Sequence, residues 1–350
     1  MKNLKKYTIS EKATIFEALG QINELSGELT LVIFILNEEN QIIGSLTDGD
    51  IRRALLAGMN INDSVQMVMN KKFHYIKNLN NFKKIKKMKK LDLKIIPHVT
   101  EDKKIIQFIN LREIKSILPI DVVIMAGGKG IRLKPYTNNI PKPMLELDKK
   151  PIIAHNIDRL ISYGVKNFYI SINHLKEQIK EYLNNYYKDK EVNIYYIEEP
   201  MPLGTVGSAG LVKDYQNDDV LIINADILTN IDFEDFYSNY KDFNDDMSVA
   251  TFNIKVDIPY AVLETKDKRI QSFIEKPTYI YYSNAGIYLL NKKFIQLVPA
   301  NEVYDAIDLI DELIKQNKKI SHFPIRGYWL DIGTAQNYSK AQDDIRYIRF

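Results

Sequence analysis

The sequence predicts an α/β protein in two parts: an α+β module over residues 1–118 and a larger domain over residues 121–350 with a mixed, mainly parallel sheet. Three observations carry this. After residue 119, short apolar runs alternate with amphipathic helical stretches, the pattern of strands joined by helical crossovers. Before it, a helix–strand–strand–helix order occurs twice, as in a pseudo-symmetric pair. Between the two parts, Leu118-Pro119-Ile120 marks a break that a helix cannot cross.

The first part reads as follows. Residues 14–25 are helical, 30–36 and 41–46 are strands around a turn at Asn37-Glu38-Glu39-Asn40, and 48–57 are a second helix. The second copy is fainter, with a helix at 82–91, strands at 95–99 and 104–109, and a helix at 111–117. Each copy can cover the other's open sheet face. Lys83, Lys84, Lys86, Lys87, Lys89 and Lys90 surround Phe82, Ile85, Met88 and Leu91, which makes an amphipathic helix with a basic face. That face reads as a solvated helix side rather than a nucleic-acid or lipid surface. In the second part, strands are expected at 122–126, 167–172, 193–197 and 220–224, with helices at 152–163 and 176–187. Ligands of such a Rossmann-like sheet sit beyond the carboxyl ends of its strands.

Composition narrows the class. The 350 residues, 45% of them hydrophobic, suffice for two separate cores. With 48 basic and 45 acidic residues the net charge is +3, so no global charge argues for nucleic acid or membrane. There is no cysteine, which excludes disulfides and thiolate metal sites and suits a reducing compartment. The start, Met1-Lys2-Asn3-Leu4-Lys5-Lys6, is basic but is followed by no apolar stretch of the kind a signal peptide needs. The longest apolar run, Leu29–Leu36, is far too short to span a bilayer. A cytoplasmic protein is expected.

The strongest local signal is Val123-Ile124-Met125-Ala126-Gly127-Gly128-Lys129-Gly130-Ile131-Arg132-Leu133. A buried strand runs into a glycine-rich turn that carries Lys129 and Arg132. Glycines let consecutive N–H groups face one anion, and the two cations add charge where a polyphosphate would lie. The spacing is neither a P-loop nor a dinucleotide fingerprint. Pro135-Tyr136-Thr137 and Pro141-Lys142-Pro143-Met144-Leu145 follow, the prolines fixing an extended path that holds Lys142 in a set direction. Asp226 ends the apolar strand Val220–Asn224, and Asp331 stands in Trp329-Leu330-Asp331-Ile332-Gly333-Thr334. A carboxylate at the end of an apolar strand is rarely buried unpaired. Read alone, Asp331 could instead cap a following helix. The five histidines, His74, His98, His155, His174 and His322, show no metal-ligand spacing.

The stretch Ala126–Leu145 resembles the signature of the sugar-phosphate nucleotidyltransferases, which include the nucleoside-diphosphate-sugar pyrophosphorylases, and the resemblance continues to about residue 340. It implies nucleotide binding by Ala126, Gly127, Gly128, Lys129 and Gly130, and by the base loop Leu203, Gly204 and Thr205 with its backbone N–H and C=O groups. It implies catalytic roles for Arg132, Lys142 and Lys276, the last in Glu275-Lys276-Pro277. Sugar contacts are expected from Glu275, Asn284 and Ala261, the last replacing a usual glycine. Mg²⁺ is the implied cofactor, held by Asp226 and Asp331 with phosphate oxygens and water. A second departure is Lys149-Lys150-Pro151, where the family has Gly-Lys-Pro. The implied reaction is attack of a sugar 1-phosphate oxygen on the α-phosphorus of a nucleoside triphosphate, which needs positioning and charge neutralisation rather than a base.

In the first part, Gly44-Ser45-Leu46-Thr47-Asp48-Gly49-Asp50 resembles the end of a cystathionine-β-synthase-type (CBS) domain. The resemblance implies a regulatory nucleotide, an adenine nucleotide or another, with Thr47 on phosphate and Asp50 on ribose. The second copy has Gln107, Asn110 and Glu113 at these positions and reads as a degraded site. Dimerisation alone is the other reading of the pair, and a homo-oligomer is expected. A CBS pair ahead of such a catalytic domain resembles bacterial enzymes of legionaminic acid synthesis, which implies GTP and glucosamine 1-phosphate as substrates. Mannose 1-phosphate guanylyl transfer, uridylyl or thymidylyl transfer, and a non-catalytic nucleotide sensor are the alternatives.

Overall fold

The structure, a computed structural model, describes residues 4–27, 30–78, 82–112 and 116–348. Leu29 and Glu113 lie outside the described residues, as do the first three residues and the middle of the helix expected over 111–117. The chain divides into two compact units, Met1–Ile117 and Leu118–Phe350. No helix among the described residues is long and apolar enough to cross a membrane.

The first unit contains β1 (Thr8–Ser10), α1 (Ile15–Glu24), β2 (Val32–Leu36), β3 (Ile42–Thr47), α2 (Asp48–Leu56), α3 (Phe82–Lys90), β4 (Ile95–Val99) and β5 (Ile105–Asn110). Thr14 and Glu17 form a capping box that starts α1. β1 lies parallel to β2 and β3 antiparallel to it, while β4 and β5 form a separate hairpin. The two halves share a core. Ile95 and Val99 pack among Ile33, Ile35 and Leu46, and the Phe34 and Phe108 rings stack at 5.3 Å. On α3 the three-residue spacing works as expected, because Ile85 and Met88 are buried against Ile76, Ile96 and Ile109.

The second unit runs β6 (Ile120–Met125), β7 (Glu146–Leu147), β8 (Lys150–Pro151), α4 (Ile152–Ser162), β9 (Asn167–Ile172), α5 (Lys176–Tyr186), β10 (Asn193–Glu198) and β11 (Asp219–Asn224). It continues with β12 (Ile227–Thr229), α6 (Phe233–Asp242), β13 (Met247–Asp257), β14 (Val262–Lys266), β15 (Arg269–Ile274) and β16 (Thr278–Asn291). The last elements are α7 (Lys292–Ile295), α8 (Ala306–Lys315), β17 (Ile320–Pro324), β18 (Trp329–Asp331) and α9 (Ala335–Asp344). The main sheet has seven strands in the order β10-β9-β6-β11-β16-β13-β17. The first four are mutually parallel, β16 is antiparallel to both neighbours, and β17 is parallel to β13. This is the mixed, mainly parallel sheet that the alternation of runs predicts. Its central strands are apolar on both faces because both faces are covered. Val123 and Ile222 pack toward Leu309 and Leu313 of α8, while their neighbours Val122, Ile124, Leu221 and Ile223 point the other way and are buried too.

Two local features deserve a physical reason. β7 and β8 are joined by Asp148 and Lys149, both left-handed with φ of 48° and 64°. A two-residue hairpin of this hand favours glycine, which explains why the family carries one where this chain has Lys149. Beyond the sheet, β13 and β16 run on together from 252–257 and 278–283, and the β14–β15 hairpin sits between them. Almost every side chain of this arm is exposed.

The end of the sheet away from the glycine loop is stitched by buried carboxylates. Asp121 is fully buried and accepts from Asn167 Nδ2 (2.9 Å), Asn217 Nδ2 (2.6 Å) and Asn217 N (3.0 Å). Asp219 accepts from the Tyr237 and Tyr240 hydroxyls and pairs with Lys241. Removing one partner of such a buried set strands the others. Asp121→Ala should therefore lower the stability of the second unit by about 3 kcal/mol, read as a fall in its urea-unfolding midpoint; a midpoint within error of the parent would show that water replaces the carboxylate.

Candidate active site

The glycine loop leaves β6 at the carboxyl end of the sheet. Its last glycine, Gly130, has φ +62°, and a Cβ there would stand 3.0 Å from the side chains of both Lys142 and Thr137. Only glycine fits. Thr137 Oγ1 donates to the Gly130 carbonyl (2.8 Å), which fastens the loop to the proline-bordered segment behind it. Two short 3₁₀ turns, Ile131–Leu133 and Lys142–Met144, then present Arg132 and Lys142 to a cleft of about 400 Å³ that the loop also lines.

Asp226 and Asp331 are 105 positions apart in sequence and meet because β12 and β18 form a short antiparallel ladder. That ladder sets Ile227 opposite Asp331, and the Ile332 N–H donates to the Asp226 carbonyl (3.0 Å). Asp331 does not cap α9; Thr334 does, accepting from the Asn337 N–H (3.2 Å). Burial and then the like charge of Asp226 raise the Asp331 carboxyl above its usual range, while Lys142 and Arg132 pull it down. The Lys142 ammonium contacts Asp226 directly and lies 3.9 Å from Asp331 Oδ1.

Could this pair hold a divalent cation? Asp331 Oδ1 and Asn224 Oδ1, from two residues that line one cleft, are buried without a hydrogen-bond partner. Such orphaned oxygens in a cleft fit a missing ligand. Among the described residues no group of three or more His, Cys, Asp or Glu is placed to bind a metal. The donor set therefore suits a hard cation that takes two carboxylates and completes its shell with phosphate and water.

Two further clefts adjoin the first. One, of about 410 Å³, is shared by Gly127, Gly128 and Lys129 with Glu199, Pro202, Leu203, Gly204 and Thr205. Leu203 and Thr205 line it as expected, but their N–H groups are engaged: Leu203 donates to Glu199 (3.3 Å) and Thr205 to Asp305 (2.9 Å). The loop leads into a 3₁₀ turn, Gly207–Leu211, rather than an α-helix. The other cleft, of about 370 Å³, is lined by Asn224, Asn284, Gly286, Tyr288, Asp305, Trp329 and Asp331. Asn284 is held there by a bond to the Tyr288 hydroxyl (2.9 Å) and one from the Gly286 N–H (2.9 Å).

The structure thus brings Ala126, the glycine loop, Arg132, Lys142, Leu203–Thr205, Asp226, Asn284 and Asp331 to one edge of the sheet. It leaves Ala261, Glu275 and Lys276 exposed on the β13–β16 arm, where they line none of these clefts. Sequence reading missed Glu199, Asn224, Asp305 and Trp329. Asn224 was within reach, as the polar residue beside Asp226 at a strand end; Asp305 was not, because only tertiary folding puts it beside Thr205. In the first unit, Thr47 and Asp50 serve each other as the N-cap of α2, and Asp50 also pairs with Arg53 (2.6 Å).

Because Lys142 occupies the space between the two carboxylates, it competes with any cation there. Lys142→Met should tighten Mn²⁺ binding by about tenfold without nucleotide, followed by electron paramagnetic resonance titration; unaltered affinity would mean that the ammonium does not compete.

Several known proteins resemble this chain. Mannose-1-phosphate guanyltransferases of Schizosaccharomyces pombe and Yarrowia lipolytica are 28% and 30% identical, each over 62% of this chain and 61% of their own length. The chain thus spans about 61% of the length of these curated relatives. The crystal structure of HddC from Yersinia pseudotuberculosis complexed with GMP-PN superposes with a TM-score of 0.50 at 28% identity, over 65% of this chain and 99% of that one. A CBS domain profile matches residues 3–57. The nucleotidyl transferase profile matches residues 121–347, the whole sheet and all three clefts, and so the chain belongs to the nucleotidyl transferase family.

Proposed function

We propose that the protein transfers GMP from GTP to a sugar 1-phosphate, releasing pyrophosphate, with Mg²⁺ as cofactor. The observation that carries this reading is the convergence of the glycine loop, Arg132, Lys142 and Asp226 on one cleft, with Asp331 of the adjoining cleft 3.9 Å from the Lys142 ammonium. A polyphosphate needs cations and backbone donors, and a metal needs oxygen ligands; both kinds of group meet here. The choice of GTP is supported by the guanyltransferase relatives and by the GMP-PN complex of the similar structure.

The nucleophile is an anionic phosphate oxygen, so the chain has to orient and neutralise rather than deprotonate. Gly127–Gly130 bring backbone N–H groups to the triphosphate. Arg132 and Lys142 neutralise its charge, including that gained by the leaving pyrophosphate. The cleft with Asn284 and Trp329 receives the sugar, next to Asp331 and therefore next to the reacting phosphorus. Lys276 holds the sugar phosphate after the β13–β16 arm folds toward the sheet, a movement allowed by the arm's lack of a core. Asp226 and Asp331 would hold the Mg²⁺, which would add positive charge against the developing negative charge.

For the sugar, glucosamine 1-phosphate comes first, because a CBS-type module ahead of the catalytic unit is the domain order of the legionaminic acid enzymes that the sequence resembles. Mannose 1-phosphate comes second, on the strength of the relatives. The first unit, with its match at residues 3–57, would add nucleotide regulation or subunit pairing, and a cytoplasmic setting belongs to the same reading.

The test is pyrophosphate release across four nucleoside triphosphates and several sugar 1-phosphates. A signal confined to GTP with glucosamine 1-phosphate bears out both choices, and another productive combination replaces them. Silence in every combination, with nucleotide still bound, would favour a sensor. Asp226→Asn should cut turnover about 1,000-fold with an unchanged melting temperature; retained turnover would remove Asp226 from the metal site.

A further inference from the structure

We propose that Asp305 makes the protein selective for an amino sugar, its carboxylate pairing with the protonated amino group of the sugar 1-phosphate. The proposal deepens the nucleotidyl-transfer reading and rests on its placing of the sugar in the third cleft.

Asp305 stands just before α8, exposed, and lines the third cleft together with Asn224, Asn284, Tyr288, Trp329 and Asp331. Its side chain is held in place. The Thr205 N–H (2.9 Å) and the Thr205 hydroxyl (3.1 Å) both donate to Oδ1, and Thr205 Oγ1 in turn accepts from the Ala306 N–H (2.8 Å). Asp305 and Asp308 form the capping box that starts α8. Gly204 leaves room for this clasp, since a Cβ there would stand 2.9 Å from Oδ1. A carboxylate offers about four acceptor directions, and the donors named here, all neutral, use fewer. Among the described residues no lysine or arginine pairs with Asp305, and none of those lining the cleft is lysine, arginine or histidine.

A sugar 1-phosphate is an anion, so an uncompensated carboxylate is out of place in the cleft that receives it, unless another part of the ligand is cationic. Asp331, the other carboxylate there, has Lys142 at 3.9 Å; Asp305 has no counter-charge. The orphaned Asn224 Oδ1 adds one more unsatisfied acceptor to the same wall. Burial, with a smaller push from Asp305, holds the Tyr288 hydroxyl above its usual range, so the neighbouring tyrosine stays neutral. The wall therefore asks for donors and for positive charge. Sugar hydroxyls can donate to a carboxylate but leave its charge in place. An ammonium supplies both, and the pair is stronger in a cleft walled by Trp329 than in open water. N-acetylation of the sugar would remove the charge and with it the advantage.

The test compares the full-length protein with Asp305→Asn, which keeps an acceptor for Thr205 and a cap for α8 but removes the charge. With GTP and Mg²⁺, kcat/KM is measured for each amino sugar beside its hydroxyl counterpart: glucosamine 1-phosphate with glucose 1-phosphate, and mannosamine 1-phosphate with mannose 1-phosphate. The parent should prefer the amino sugar, and Asp305→Asn should lower that preference about 30-fold. A purely structural role, through Thr205 and α8, would lower both members of a pair alike and leave their ratio. In the parent the ratio should also decline as pH rises through the titration of the sugar's amino group, while in Asp305→Asn it stays flat. Asp305→Ser, a cap without charge, carries the test should Asp305→Asn melt early. If GTP is not turned over, the same ratios are read from calorimetric binding of the sugar phosphates; a preference that still depends on Asp305 keeps amino-sugar selection and removes guanylyl transfer. A parent without preference for the amino sugar in either pair, or variants that keep the parent's ratio, would overturn the assignment.

Discussion

The site depends on the register of two central parallel strands. β6 and β11 pair so that Met125 lies opposite Asn224, and the ladder continues one step further through the bond from the Ala225 N–H to the Met125 carbonyl (3.1 Å). The glycine loop and Asp226 therefore leave the sheet side by side. A slip of the pairing would carry the carboxylate along the strand and turn core residues outward. At the other end of the same strands sit Asp121 and Asp219, each clasped by several donors. Buried carboxylates are poor sources of net stability but strict judges of alignment, because any other register leaves them unpaired. Polar specification at one end thus holds the chemistry at the other in place.

Charge at the catalytic edge is arranged in opposition. Asp226 and Asp331 face one another, and Lys142 fills the gap between them. Arg132 lies at the rim, against Gly333, where the absence of a side chain leaves it room near Asp331. Within the fold these charges compensate one another.

The clefts differ in chemistry. The first is lined by glycines and cations, the second by a carboxylate and a loop, and the third by Asn284, Tyr288 and Trp329. Trp329 is fixed by stacking on Phe252 at 3.9 Å between ring centres and by donation from Nε1 to the Ala285 carbonyl (2.9 Å). Phe252 stands where β13 leaves the sheet to form the arm, so the base of the arm is tied to the wall of the third cleft. Further along, Tyr282 of the arm packs on His322 of β17 at 4.6 Å between ring centres, while β15, which leads to Glu275 and Lys276, is exposed along its length.

Much of this was legible in the sequence. Continuous apolar runs announced the parallel strands, because strands covered on both faces have no polar side. Glycines and prolines around Lys129, Arg132 and Lys142 announced the glycine loop, because backbone geometry is written locally. Lys149 in a left-handed turn shows the limit of that rule: the turn formed although its preferred glycine is absent. What only the tertiary structure decided are the meetings between distant segments. Asp226 finds Asp331 through the β12–β18 ladder, Thr205 finds Asp305, and Ser171 with Gly127 aims Glu199. The sequence by itself determined which residues could do chemistry and on which elements they lie, since propensity and periodicity act over a few residues. Their partners were decided by the fold, because the energy of a hydrogen bond or ion pair depends on distance in space and not along the chain.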